Sequence, residues 1–292
     1  MPGVARPKRI GKGEFMRRKI SLVGAGIGFM VFAAPALAHF QMLYVDESAR
    51  LRGGAADLAL VFTHPFAAGP TMAMGEPEAF YLLAQRGDDG EAVRTDLDEY
   101  LTPVVWAGEG NAAAAYLAEL PANVVRSLGD YVFVLEPSPY YEAGEDKYIQ
   151  QYTKMVMNVG GVPGNWSETV GLPAEIMPLD KPYANWTGGV FRGVVLSEGV
   201  PVPFAEIEIE YVNREPDLEN HRFGDAAAVE APHPSLETMS IKADANGGFT
   251  IGLPRAGWWG ICALEVGPVT EHEGKPLSQD AVLWVQVRDM PQ

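Results

Sequence analysis

Beyond residue 38, the apolar residues of this chain fall in short runs or strict alternations. Gly, Pro, Asn or Asp interrupts them every few residues, and nowhere do they sustain the 3.6-residue period of an amphipathic helix over three turns. That pattern predicts an all-β chain. Candidate strands lie at 57–63, 79–83, 131–135, 152–159, 193–196, 206–211, 240–243, 249–253, 260–266 and 281–287. The alanine-rich stretch 111–120 leaves short helix, strand and loop open. In Glu206-Ile207-Glu208-Ile209-Glu210-Tyr211 the alternation predicts a strand with a wet glutamate face and a buried apolar face.

A breaker-dense stretch at 178–189 marks a boundary. After it comes a strand, a turn at 199–203 and a second strand. A hairpin across Asp244-Ala245-Asn246-Gly247 follows, Asn-Gly being a strong hairpin signal, and then the Trp258-Trp259 run. This is the rhythm of a small Greek-key β-sandwich of immunoglobulin-like or prealbumin-like type. The expected organisation is an N-terminal β domain over residues 39–187, holding any metal site, and a C-terminal β-sandwich domain over 188–292. The acidic, Pro- and Ala-rich segment 213–237 reads as an exposed, mobile loop.

Residues 1–38 have the three parts of a secretory signal peptide. Basic residues lead, an apolar run spans 20–32, and Ala36-Leu37-Ala38 supplies the small-residue cleavage pattern. The run is short for a membrane anchor, and no cysteine near the cut allows lipid attachment. Cleavage after Ala38 would leave a periplasmic or secreted chain of 254 residues with no membrane insertion. It would carry 15 basic and 37 acidic side chains, a net of −22. Such a charge repels nucleic acid and anionic membranes, so neither is an expected partner. The one cysteine, Cys262, rules out an internal disulfide. Its apolar surroundings predict a buried, inert thiol.

The five histidines are His39, His64, His221, His233 and His272. Cleavage after Ala38 would give His39 a free α-amine, which can chelate one metal ion together with its own imidazole. Both groups deprotonate near pH 7 at modest cost. His64 shares the parity of Leu58, Leu60 and Phe62 and sits where Pro65 ends their strand, which makes it the natural second ligand. The loop after the 131–135 strand joins tyrosines to Glu142 and Glu145, either of which would complete a divalent site. Met72 and Met74 offer soft sulfur or simply fill space under a loop. His221, His233 and His272 read as solvated. No nucleophile elbow, phosphate loop, dinucleotide fingerprint or His-Glu-x-x-His motif occurs.

Several segments resemble a bacterial family of periplasmic components of nickel/cobalt ABC-type uptake, itself a domain-of-unknown-function family. They are Ala38-His39-Phe40, Phe62-Thr63-His64-Pro65 with Gly69-Pro70 and Met72, Glu76-Pro77-Glu78-Ala79-Phe80, and Gly129-Asp130-Tyr131-Val132-Phe133. Glu145-Asp146-Lys147-Tyr148-Ile149 with Tyr152-Thr153-Lys154, Gly171-Leu172-Pro173-Ala174-Glu175-Ile176, and Pro254-Arg255-Ala256-Gly257-Trp258-Trp259-Gly260 complete the set. The resemblance implies a secreted, two-part β protein associated with transition-metal uptake. A histidine commonly precedes the Tyr-Thr-Lys segment in that family. Here the position is Gln151.

The expected function is therefore a periplasmic binding or carrier protein for a divalent transition metal, nickel or cobalt first and copper next. The metal ligands would be His39, His64 and a carboxylate from Glu142 or Glu145, and a membrane metal transporter would be the partner. The chain is not expected to be an enzyme. Two other readings stand beside this one: a copper-dependent redox enzyme using an N-terminal histidine, and a non-metal cell-surface module docking through Glu206, Glu208 and Glu210.

Overall fold

A computed structural model describes residues 39–85 and 91–291. The expected leader, residues 1–38, lies outside them. The described residues form strands and two single-turn 3-10 helices, with no α-helix among them, and none of their helices is long and apolar enough to cross a membrane.

Three sheets make up the architecture. The first runs Phe40–Tyr44, Ala56–Thr63, Asn111–Leu120, Leu101–Gly108, Arg222–Phe223, Pro216–Asp217. The second and largest runs Thr238–Lys242, Glu206–Tyr211, Gly257–Ala263, Lys275–Arg288, Lys147–Val159, Gly129–Glu136, Ala79–Gln85, Ala92–Asp96. The third joins Ala174–Pro178, Gly189–Ser197, Val200–Pro201 and Gly248–Leu253. The alanine-rich stretch is thus a strand, paired on both edges, where its small side chains sit between Ala56–Thr63 and Leu101–Gly108.

The large sheet is covered on both faces, and this explains its long apolar strands. Along Lys147–Val159, Ile149, Met155, Met157 and Val159 enter one core, shared with the first sheet. Tyr152 and Val156 point the other way, into a second core shared with the third sheet. Lys275–Arg288 divides likewise, with Val282 and Trp284 in the first core and Leu283, Val285 and Val287 in the second. These two strands run parallel in register from Tyr148/Leu277 to Met155/Trp284. Strands from both sides of the expected 187/188 boundary therefore share one sheet. The breaker-dense connection itself is ordered: Asn185 donates to the carbonyls of Lys181 and Pro182, and Asn185–Trp186 pairs with Val287 and Arg288.

The expected β-sandwich packing is present, although Ala174–Pro178 joins the third sheet from before Gly188. Phe191, Val195, Phe249 and Ile251 of the third sheet face Ile207, Ile209, Ile261 and Leu283 of the large one. A buried ion pair ties the two sheets: Lys154 Nζ donates to Glu175 at 2.5 Å, and both are under 4 % exposed. Glu175 also accepts from the amides of Val170, Gly171 and Leu172, so its charge has four donors.

Two expectations need correction. The glutamate face of Glu206–Tyr211 is not wet along its length: Glu206 is exposed, Glu208 half-buried and Glu210 buried. The loop around Phe66 covers it, and Glu210 accepts from the Phe66 amide and from Thr238 Oγ1. The segment 213–237, expected to be an exposed loop, is so only in part: residues 224–237 are mostly exposed, but residues 216–223 are pinned to the first sheet. Arg222 pairs beside Ala107, and Phe223 is buried edge-on against Trp106 at 5.5 Å.

Candidate functional site

The antiparallel pairing of Phe40–Tyr44 with Ala56–Thr63 aligns Phe40 with Thr63. One step further out, His39 and His64 meet. Their ring centroids are 4.6 Å apart at 52°. Pro65 ends the strand just after His64, so both rings lie at the sheet's end, with His64 buried and His39 partly so. Phe62 lies 5.8 Å from the His39 ring on the inner side.

The third predicted residue reaches His39 from the Tyr140–Glu142 strand, which folds back on Lys147–Val159. Glu142 Oε2 lies 3.2 Å from His39 Nε2, and its other oxygen accepts from the Gly144 amide. Tyr140, two residues earlier, meets Phe62 edge-on at 5.3 Å and fixes the hairpin against the first sheet. Glu145 turns away. It pairs with Lys147 at 2.6 Å, which holds its carboxyl below the usual range, and it acts on His39 only through its charge.

Burial holds the His39 imidazole below its ordinary pKa, against the opposing pull of Glu142 and Glu145. A neutral imidazole is the form that binds a metal ion. No group of three His, Cys, Asp or Glu side chains among the described residues is disposed to hold a metal ion together. The candidate set is two imidazoles and one carboxylate already bonded to an imidazole. The His39 backbone nitrogen is tied up in the peptide bond to Ala38.

The residue that seats His39 is Gln151, and sequence reasoning registered it only as a departure from a family pattern. Its Nε2 donates to the His39 carbonyl at 2.7 Å, and its Oε1 accepts from the Gln41 amide at 2.6 Å. The same Nε2 lies 3.1 Å from Asp280 Oδ2. Asp280 is buried, which pushes its carboxyl up, while Ser278, the Glu265 amide and Gln151 bond to it. Cys262 lies beneath, 3.5 Å from Gln151 Nε2; burial raises its pKa far above normal, as expected of an inert thiol. Pairing of Gln151 with Asp280 across the parallel strands is a tertiary fact that no local pattern announces.

Met74 is buried, and its sulfur accepts from Gln41 Nε2 at 3.3 Å. With Gln41, Phe62, Tyr140 and Gln151 it borders a small pocket next to His39. Met72 is buried in the strand pair with Phe62. The other three histidines lie elsewhere: His233 caps a 3-10 turn, His272 packs edge-on to Tyr148, and the His221 carbonyl accepts from the Ala107 amide.

The model of one protein family, described as a domain of unknown function (DUF4198), matches residues 36–267. No protein of curated function matches. Among solved structures, the D0-D1 domain of intimin is similar at 10 % identity over 85 % of this chain and 100 % of its own, with a TM-score of 0.20. Trypsin-activated alpha-2-macroglobulin from Escherichia coli is similar at 11 % identity over 87 % of this chain and 16 % of its own, TM-score 0.21. A marsupial T cell receptor is similar at 10 % identity over 86 % and 73 %, TM-score 0.23. At such TM-scores nothing about this chain is inferred from them.

Proposed function

This chain belongs to the DUF4198 family, and from that premise we propose that it is an exported binding or carrier protein for a divalent transition metal, held at His39 and His64. The observation that carries the reading is the close approach of the His39 and His64 rings, with Glu142 bonded to His39. Two imidazoles and an amine make a nitrogen-rich set suited to nickel, cobalt or copper rather than to the hard cations calcium and magnesium. The resemblance to periplasmic components of nickel/cobalt uptake puts those two metals first and a membrane transporter as the recipient.

In this reading, cleavage after Ala38 frees the His39 amine, and His39 then offers amine and imidazole while His64 adds a second imidazole. Glu142 orients the His39 ring, or replaces that hydrogen bond with a bond to the metal. Gln151 fixes the backbone from which the amine projects. The metal is cargo, and a carrier fits better than an enzyme because the converging groups are ligands, with the one thiol sealed below them.

Equilibrium dialysis against nickel, cobalt and copper tests this on two forms of the protein: one beginning at His39, the other retaining Ala38. The expected result is one equivalent per chain for the first form and markedly weaker binding for the second. Unchanged affinity in both His39→Ala and His64→Ala would remove the proposed site.

A further inference from the structure

Strand pairing along Ala56–Thr63 ends at Thr63, which faces Phe40 on one side and Thr71 on the other. His64 comes next and Pro65 after it, so the position of His64 depends on the turn that follows. That turn is held at three successive residues. The His64 carbonyl accepts from the Gly69 amide at 3.3 Å, and the Pro65 carbonyl accepts from the Asn213 amide at 3.3 Å. The Phe66 amide donates to Glu210 Oε2 at 3.0 Å. The first bond is internal to the turn. The other two tie it to the large sheet, at and just past the strand Glu206–Tyr211.

Glu210 is a rigid mount. Its backbone sits inside the sheet, between Thr238 on one side and Gly260 on the other. Its side chain is buried, and its second oxygen accepts from Thr238 Oγ1. Both oxygens are therefore fixed, one by the sheet and one by the turn. A carboxyl group is a costly side chain to bury here, and desolvation pushes it up to about 7. An apolar side chain would cover the sheet without that cost, but it could accept from neither Phe66 nor Thr238.

The two imidazoles are thus mounted in the same manner. Gln151, on Lys147–Val159, holds the backbone around His39. Glu210, on Glu206–Tyr211, holds the turn after His64. Gly257–Ala263 and Lys275–Arg288 lie between those two strands. Strands about 4.8 Å apart put the mounts some 14 Å from each other across a hydrogen-bonded sheet. The sheet thereby sets where the two turns meet, and ligand sites need such support to hold geometry to about 0.5 Å.

We propose that Glu210 is the positioning residue of His64: by accepting from the Phe66 amide it fixes the turn and keeps the His64 ring beside that of His39. The inference rests on the reading of His39 and His64 as the metal site. It adds to that site a second anchor on the large sheet, which touches neither the metal nor the imidazoles and acts through the backbone of Phe66.

The test uses the chain beginning at His39, first without metal. In the parent, ring protons of His39 and His64 should give a nuclear Overhauser contact, since the ring centroids are 4.6 Å apart. Glu210→Leu, close in size but unable to accept, should lose most of that contact. Glu210→Ala, which also removes the acceptor, is measured beside it in case the leucine variant does not fold. Glu210→Gln should keep the contact, because its amide oxygen accepts from Phe66 while its Nε2 donates to Thr238 Oγ1. Nickel is then titrated into each protein. Affinity should fall about tenfold in the leucine and alanine variants and stay within about twofold of the parent in the glutamine variant. A general loss of stability would not be rescued by glutamine in this way. An unchanged ring contact in the leucine and alanine variants overturns the proposal, as does an equal loss of nickel affinity in the glutamine and leucine variants. A parent that takes up no nickel removes the metal reading, and the ring contact, measured without metal, still decides the role of Glu210.

Discussion

Gln151 clamps the backbone on which His39 is mounted: its side-chain amide donates to the His39 carbonyl and accepts from the Gln41 amide, at 2.7 and 2.6 Å. Residues 39–41 are thereby tied to the centre of the large sheet, through a strand that lies beside Lys275–Arg288. A chain start is ordinarily free to fray; if cleavage after Ala38 makes His39 the start, Gln151 holds it in place on both sides of residue 40.

Gln151→Ala removes that clamp and leaves two buried backbone groups unpaired. Each such loss is worth about 1–3 kcal/mol. The variant should unfold at a lower urea midpoint and bind metal more weakly than the parent, because His39 is no longer fixed opposite His64. Unaltered affinity for nickel and copper would separate Gln151 from the site.

The Lys154–Glu175 pair should behave as a buried ion pair that cannot lose one member. Lys154→Met strands the Glu175 charge on its three amide donors alone, which should cost about 3–5 kcal/mol. Chemical denaturation of the variant measures this. A loss below about 1 kcal/mol, the range of exposed pairs, would mean that solvent reaches the pair.

Gly260 faces Phe40 and Trp284, and a Cβ there would lie 2.8 Å from a ring atom of each. Both rings are fully enclosed in the first core, so neither can swing away. Gly260→Ala should destabilise the chain by about 1–3 kcal/mol through overpacking. It should also disturb His39, the next residue to Phe40. Thermal unfolding with and without metal reads both effects.

Glu210 gives the stability a definite pH dependence. Burial pushes its carboxyl up from 4.5 to about 7, although Thr238 and the Phe66 amide oppose the shift. The folded chain therefore keeps a proton that the unfolded chain has released between these two values. The resulting stability is fully present below about pH 4.5 and is lost as the pH rises through 7, on the order of 3 kcal/mol in all. Glu208, also pushed up to about 7 mainly by burial, adds to the same trend in the same direction. Glu210→Gln should flatten the decline and be more stable than the parent at pH 8. Urea midpoints at pH 5 and 8 for both proteins give the comparison, and an equally steep fall in the variant would exclude Glu210 as its source.

The sequence by itself determined the all-β character, because strand alternation and turn residues are local properties of the chain. Glu206–Tyr211 was legible to the residue, and 57–63, 131–135 and 249–253 nearly so. It also brought forward His39 from the expected cleavage point, His64 from strand parity, and Glu142 and Glu145 from their place in a tyrosine-rich loop. Only the tertiary structure decided what covers each face. Parity placed Glu206, Glu208 and Glu210 together, but the Phe66 loop, distant in sequence, buries Glu210 and leaves Glu206 in water. The choice between Glu142 and Glu145 likewise depended on how one hairpin lies against another strand's end: Glu142 meets His39, and Lys147 captures Glu145. Gln151 stood out only as a departure from a family pattern, and its partner Asp280 had no local signal at all. Their pairing arises where strands far apart in the chain become neighbours, and hydrogen bonding and close packing act on distance in space, not on distance along the sequence.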